Sequence, residues 1–306
     1  MAFLCLSRYL ICQILRCACG RATIGDMAFS PDRQSGLQKQ RDLPRDLEEY
    51  RKEFGAGLEA MAKSVNTDLA HKLLTGTGAV RMEGFYPKEI LADDRQKMET
   101  KKTSWIQKHF STAEVSDEQR EQWEKMEAAK PRKGELLEMV VTVLLHKVLK
   151  DRYVIARASK FDDYFGFDNI IVNKETGAVV CTFDDVHDQA YGDTVQEKIH
   201  EMKKSAQKGG ARIKYGFTFE NGELVKKEID HVPKLYNPFS VSELDDALRV
   251  VNPKDLDAVS AEEQVIYNRI IDKFAELIPQ LQASAQGDEY KKNLADFAAV
   301  LPSLKR

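Results

Sequence analysis

The sequence predicts an α/β protein, an α+β mixed sheet with helices packed on it and helical extensions at both ends. Two observations carry this. Between Gly134 and Ser240 the chain reads as helix, three strands, helix and two strands, with turn signals at the reversals. On either side of that segment the apolar residues fall at steps of three and four, the spacing of one helix face.

The N-terminal extension comes first. Residues 27–130 form a charged helical region, in which Leu47, Tyr50, Phe54, Leu58 and Met61 share a face while Gly55 and Gly57 weaken the helix. A second helix is expected near Thr67 to Leu74, stopped by the Thr-Gly-Thr-Gly run at 75–78. That run lacks the Gly-Lys-Ser/Thr ending of a phosphate loop. Ser116 followed by Gln119 is a capping box. Trp105 and Trp123 are expected to serve core or helix packing.

Pro131-Arg132-Lys133-Gly134 marks the start of the central region, 131–240. A long apolar helix spans 135–149, and Tyr153 to Ala158 is a strand. Phe167–Val172 and Ala178–Val186 are two more, joined by the five-residue loop Asn173–Gly177. Asp193 to Gln207 is helical and ends at Gly209-Gly210. Arg212–Phe219 and Glu223–Ile229 form a hairpin around Asn221-Gly222, and Pro233 and Pro238 close the region. In 241–306 the helical pattern returns, with Val265, Ile266, Ile270, Phe274 and Leu277 on one face. A shorter face carries Leu294, Phe297, Val300 and Leu301.

Composition excludes some classes. The 46 basic and 49 acidic side chains nearly cancel, so any contact with nucleic acid must come from a local patch. Four of the five cysteines, Cys5, Cys12, Cys17 and Cys19, crowd the start, against a disulfide-stapled secreted domain and for a reducing, cytoplasmic setting. Their spacing matches no zinc motif. Arg8 and Arg16 interrupt the early apolar run, so no membrane span is expected. Residues 1–26 are expected to be disordered or an upstream artefact before a true start at Met27, with a cleaved signal as the alternative.

The central aspartates are clustered. Asp162-Asp163 precede the second strand, Asp168 opens it, and Asp184-Asp185 end the third, with Asp188 and His187 beside them. A short hairpin brings Asp168 and the Asp184-Asp185 pair to the same end of the sheet. Carboxylates held together repel unless a cation or proton is shared, and such oxygens suit Mg²⁺ or Mn²⁺. The alternative is a set of solvated hairpin ends. Glu138 lies on the stripe of Val141, Leu145 and Val148, where it needs a partner or a metal, unless it reaches solvent and complements the helix dipole.

The run Gly134-x-x-Leu137-Glu138, a strand, Gly166-Phe167-Asp168-Asn169-Ile170-Ile171-Val172, a hairpin and Val179-Val180-Cys181-Thr182-Phe183-Asp184 resembles the restriction-endonuclease-like, or PD-(D/E)XK, nucleases. The segment around Gly209–Gly216 also resembles bacterial proteins of unassigned role. The nuclease resemblance covers about residues 134–215 and implies Glu138, Asp168 and Asp184 as ligands of Mg²⁺ or Mn²⁺. Asp168, Asp184 and Asp185 would then be catalytic carboxylates. The family's lysine is absent, because Val186 follows Asp184-Asp185. Some family members place it on the next helix, where Lys198 is the best candidate and Lys203 the next.

Lys203, Lys204, Lys208, Arg212 and Lys214 form, with Lys198, a basic stretch opposed in that interval only by Glu201. It suits DNA or RNA phosphates, or is a solvated helix surface. The expected function is nuclease-like action on, or binding of, nucleic acid. The rival is a catalytically inactive binding or assembly module of the same fold, using its helical ends for a protein partner.

Overall fold

A computed structural model of the chain describes residues 47–129, 133–188 and 193–305. The expectations for residues 1–26, the early cysteines and the Pro131-Arg132 boundary lie outside those residues, as does the side chain of His187. The described elements begin with α1 (Leu47–Asp68), α2 (Lys88–Phe110), α3 (Asp117–Ala129) and α4 (Lys133–Leu149). Next come β1 (Tyr153–Arg157), α5 (Lys160–Tyr164), β2 (Asn169–Asn173), β3 (Val179–Asp188) and α6 (Asp193–Gln207). β4 (Ala211–Glu220), β5 (Glu223–Val232) and β6 (Lys234–Ser240) follow, then α7 (Val241–Val250), α8 (Ala261–Ser284) and α9 (Asp288–Leu304).

The α/β class is as the sequence predicts. A four-stranded mixed sheet runs β1-β2-β3-β6, antiparallel through the first three strands and parallel between β3 and β6. A parallel pair needs a long crossover. Here α6 and the separate β4–β5 hairpin supply it. The hairpin turns where expected, with Asn221 (φ 54°) and Gly222 (φ 80°) both left-handed, as a primed turn requires.

α4 holds the sheet from one side. It is apolar almost all round, from Leu136 to Leu149, and such a helix must be buried. α1 packs on it, with Phe54, Leu58 and Met61 buried. Gly57, which weakens α1 on propensity alone, has a packing role: a Cβ there would lie 2.8 Å from the Pro253 carbonyl oxygen.

Two carboxylates fasten the β4–β5 hairpin to the body. Buried Asp162 on α5 accepts from the backbone N–H groups of Lys214 (2.9 Å) and Tyr215 (3.1 Å). Buried Asp94 on α2 accepts from the Tyr215 hydroxyl and Lys214 Nζ, each at 2.6 Å. The side chains of α8 and α4 meet in a buried ion pair between Lys147 and Glu263. Glu263 also closes the capping box at Ser260 and accepts from the Asn252 N–H.

The structure departs from expectation at several places. Residues 67–74 do not form a second helix: α1 runs to Asp68, and Asn66 bonds Leu74 through both its amide atoms, turning the chain into the bridge Leu74–Val80. β6 was hidden by Pro238, tolerable because β6 is an edge strand. Val265 is exposed, and Tyr267 takes its place on the buried face of α8. Of the two roles expected for Trp105, core or helix packing, the structure shows the second: the ring is 41% exposed and stacks on Tyr164 of α5. The Ser116–Gln119 capping box forms as read. Among the described residues no helix is long and apolar enough to cross a membrane.

Candidate functional site

The site lies where β2 ends and β3 continues. Pairing between these strands stops at Asn169–Phe183, while β3 goes on beside β6 through Asp184–Tyr236 and Asp185–Asn237. The Asp185 N–H, left without a β2 carbonyl, donates to Asp168 Oδ2 (2.5 Å). Asp168 thus replaces a ladder acceptor with a carboxylate.

Successive strand residues face opposite sides of a sheet, which separates the two β3 aspartates. Asp185 accepts from Asn169 Nδ2 (2.7 Å) and Asn237 Nδ2 (2.8 Å). The Thr142 hydroxyl of α4 donates to Asn169 Oδ1 (2.6 Å), so Asp185 belongs to the α4 side. Glu138, one turn before Thr142, is paired with Arg157 at the end of β1. Asp184 instead meets α6, where Lys198 Nζ lies 2.5 Å from its Oδ2 and 3.7 Å from Glu201.

Burial dominates the electrostatics. It pushes Glu138 up to about 7 against the pull of Arg157. Burial also raises Asp168 well above the carboxylate range, with the charges of Glu138, Asp184 and Asp185 adding to it. Asp185 is raised by burial against the Asn237 hydrogen bond. Burial pulls Lys198 down, but Asp184 more than restores it, leaving the ammonium above its ordinary range.

A pH test follows for Glu138. Its folded pKa lies above the ordinary 4.5, so the folded state binds the proton more tightly than the unfolded chain. The resulting stability is fully present below 4.5 and is lost as pH rises through about 7. His146, buried and lowered to about 4, works the other way and loses stability as pH falls below 6.5. Comparison with Glu138→Gln cancels the histidine. In chelator, the wild-type thermal midpoint should fall relative to that variant between pH 5 and pH 8. An equal difference at both values would remove Glu138 from the account.

The donors suit a hard cation in kind, being carboxylate oxygens, and the charges of Glu138, Asp184 and Asp185 all bear on Asp168. The fully buried Asn237 Oδ1, beside Asp185, has no hydrogen-bond partner among the described residues and adds a neutral oxygen. Among the described residues no three His, Cys, Asp or Glu side chains converge as a ready metal cage. A cation would have to draw Glu138 away from Arg157.

The basic stretch divides. Lys204 is exposed and Lys203 half-buried on α6, and Lys208 is exposed just beyond its end, with no ion pair among the described residues. Arg212 is tied to Glu228 and Asp230, and Lys214 to Asp94. Arg212 thus links the two strands of the hairpin, and Lys214 fastens the hairpin to α2. Arg157, Asn169, Thr142 and Asn237 escaped sequence reading. Arg157 was the discoverable one, because a stripe glutamate calls for a cation on a facing element.

Set against known protein families, characterised proteins and solved structures, the chain matches none of them.

Proposed function

We propose that the chain is a metal-dependent phosphodiesterase of the nuclease type, acting on nucleic acid. The observation that carries this is the meeting of Lys198 with Asp184 beside the buried carboxylates. The resemblance asks for a helix with a glutamate, a strand with an aspartate, an acidic strand and a following helix. α4, β2, β3 and α6 stand in that order. Where the family's lysine is missing from the strand, Lys198 supplies an ammonium from the next helix.

In this reading Glu138 and Asp168 would hold Mg²⁺ or Mn²⁺ together with Asp185, which replaces the Asp184 that the resemblance implies, because Asp184 is turned to α6 and engaged by Lys198. A divalent ion there supplies Lewis-acid polarisation of a phosphate ester. Asn169 and Asn237 fix the Asp185 carboxylate in one orientation. Asp184 positions Lys198, whose charge stabilises the negative charge developing on the phosphate. Exposed Lys204 and Lys208, at and just beyond the end of α6, give the nucleic-acid strand a charged approach.

The test begins with metal. Mn²⁺ should raise the thermal midpoint by mass action on the folded state. Asp168→Asn should abolish that rise while stabilising the metal-free protein slightly, because a buried repulsion is relieved. Calorimetry and single-turnover cleavage of labelled DNA and RNA, single- and double-stranded, complete the experiment. No Mn²⁺ binding at millimolar concentration and no cleavage would end the enzyme reading. A second reading, an inactive binding module, is favoured by the Arg157–Glu138 pair, which neutralises a ligand from within the chain. It predicts nucleic-acid binding at low salt that is indifferent to metal.

A further inference from the structure

Beside the carboxylates lies an aromatic surface that the catalytic reading leaves unused. Trp105 on α2 stacks on Tyr164 of α5, with ring centres 5.3 Å apart and planes within 22°. Phe165 follows at once, and it and Trp105 are 42% and 41% exposed. Lys101 Nζ sits 4.4 Å from the Phe165 ring centre and 5.5 Å from that of Trp105, and donates to the Tyr164 carbonyl. Large aromatics at such exposure, with an ammonium among them, fulfil no core-packing need. They are the materials of a base-stacking platform.

The platform opens onto a cleft. Tyr164 forms one wall of a cavity of about 580 Å³, shared with Thr75, Thr77, Arg81, Arg95 and Lys160. That volume falls within the roughly 300–1,000 Å³ of small-molecule sites. Arg81 and the exposed Lys160 have no ion pair among the described residues, whereas Arg95 is engaged by Glu83. Glu83 and Glu99 also line the cavity, so three cations face two carboxylates and the balance is positive.

The cleft is coupled to the proposed centre through the backbone. Arg157, the partner of Glu138, exchanges hydrogen bonds with the cleft loop: its N–H donates to Gly78 O and its carbonyl accepts from Val80 N–H, both at 3.0 Å. Lys160 acts electrostatically on Asp163, which in turn feels Asp184. Lys101 feels both Asp163 and Lys198. The platform, the cleft and the carboxylates are therefore neighbours.

From this we infer that the substrate is single-stranded nucleic acid, with an unpaired base stacked at Trp105 and Phe165 and an adjacent phosphate in the cleft near Arg81 and Lys160. The inference rests on the nuclease reading for its choice of ligand but not for its test. A paired base presents no face to such a platform, so duplex is disfavoured.

The test is binding in Ca²⁺ or chelator, with oligo-dT, a mixed single strand and its duplex as labelled probes. Single strands should bind at least ten times more tightly than duplex. Trp105→Ala should weaken single-strand binding by about ten-fold, since stacking is worth roughly 1–3 kcal/mol per base and 1.4 kcal/mol is a factor of ten. Trp105→Phe should restore most of it, and Lys160→Glu should weaken it and flatten its salt dependence. In a Trp123→Phe background, oligo-dT should quench the remaining tryptophan fluorescence. Equal affinity for duplex, or wild-type affinity in Trp105→Ala, overturns the inference. Stacking without cleavage in Mn²⁺ would keep the platform and remove the nuclease, whereas cleavage confined to duplex would do the reverse.

Discussion

Lys198→Ala is expected to slow single-turnover cleavage by about 10²–10³-fold, the loss typical of one stabilising donor. Binding should weaken only slightly, because Lys198 is held by Asp184 inside the site rather than spread along the nucleic-acid path. Asp184→Asn should lower the rate less, since it frees the ammonium without removing it. Lys204→Ala is the contrasting variant. It removes an exposed phosphate contact, so affinity should drop modestly and the salt slope by about one unit, with the bound-state rate unchanged. If Lys198→Ala behaves as Lys204→Ala does, Lys198 has no special place in the chemistry.

The largest stability effect is expected at the Lys147–Glu263 pair. Both side chains are buried, at 1% and 2% exposure. Removing one member of such a pair leaves the other charge buried and unmatched. Lys147→Ala should therefore cost about 3–5 kcal/mol in chemical denaturation at neutral pH, the range for broken buried pairs. The capping bonds to Ser260 and Asn252 would remain but cannot neutralise Glu263. A loss below about 1 kcal/mol, the range of exposed pairs, would mean that water reaches the carboxylate.

Local signals were legible in the sequence, and distant ones were not. The Asn221-Gly222 turn and the Ser116 cap are chemistry within a few residues and form as read, and the loop read at Asn173–Gly177 forms one residue later, between Asn173 and Val179. The placing of Asp168 and the Asp184-Asp185 pair at one end of the sheet followed from one of these turns. Asn237 could not follow from any, because its contact with Asp185 depends on a parallel pairing across a long crossover. α5 has five residues, too few for a periodic pattern. The opposite facing of Asp184 and Asp185 was implicit in strand alternation, yet what each would face depended on where α4 and α6 pack.

The parallel pairing of β3 with β6 also gives the site a history. In a chain emerging N-terminus first, the turn between β2 and β3 closes as soon as its few residues are available, bringing Asp168 to the Asp185 N–H. Asn237 comes 52 positions after Asp185, behind α6 and the whole β4–β5 hairpin. Until β6 docks, Asp185 lacks one of its two amide donors and β3 lacks its edge neighbour. Asn169, which arrives with the early turn, can satisfy the carboxylate in the meantime. The acidic end of the sheet is thus assembled in two instalments, solvated during the first and enclosed only by the second.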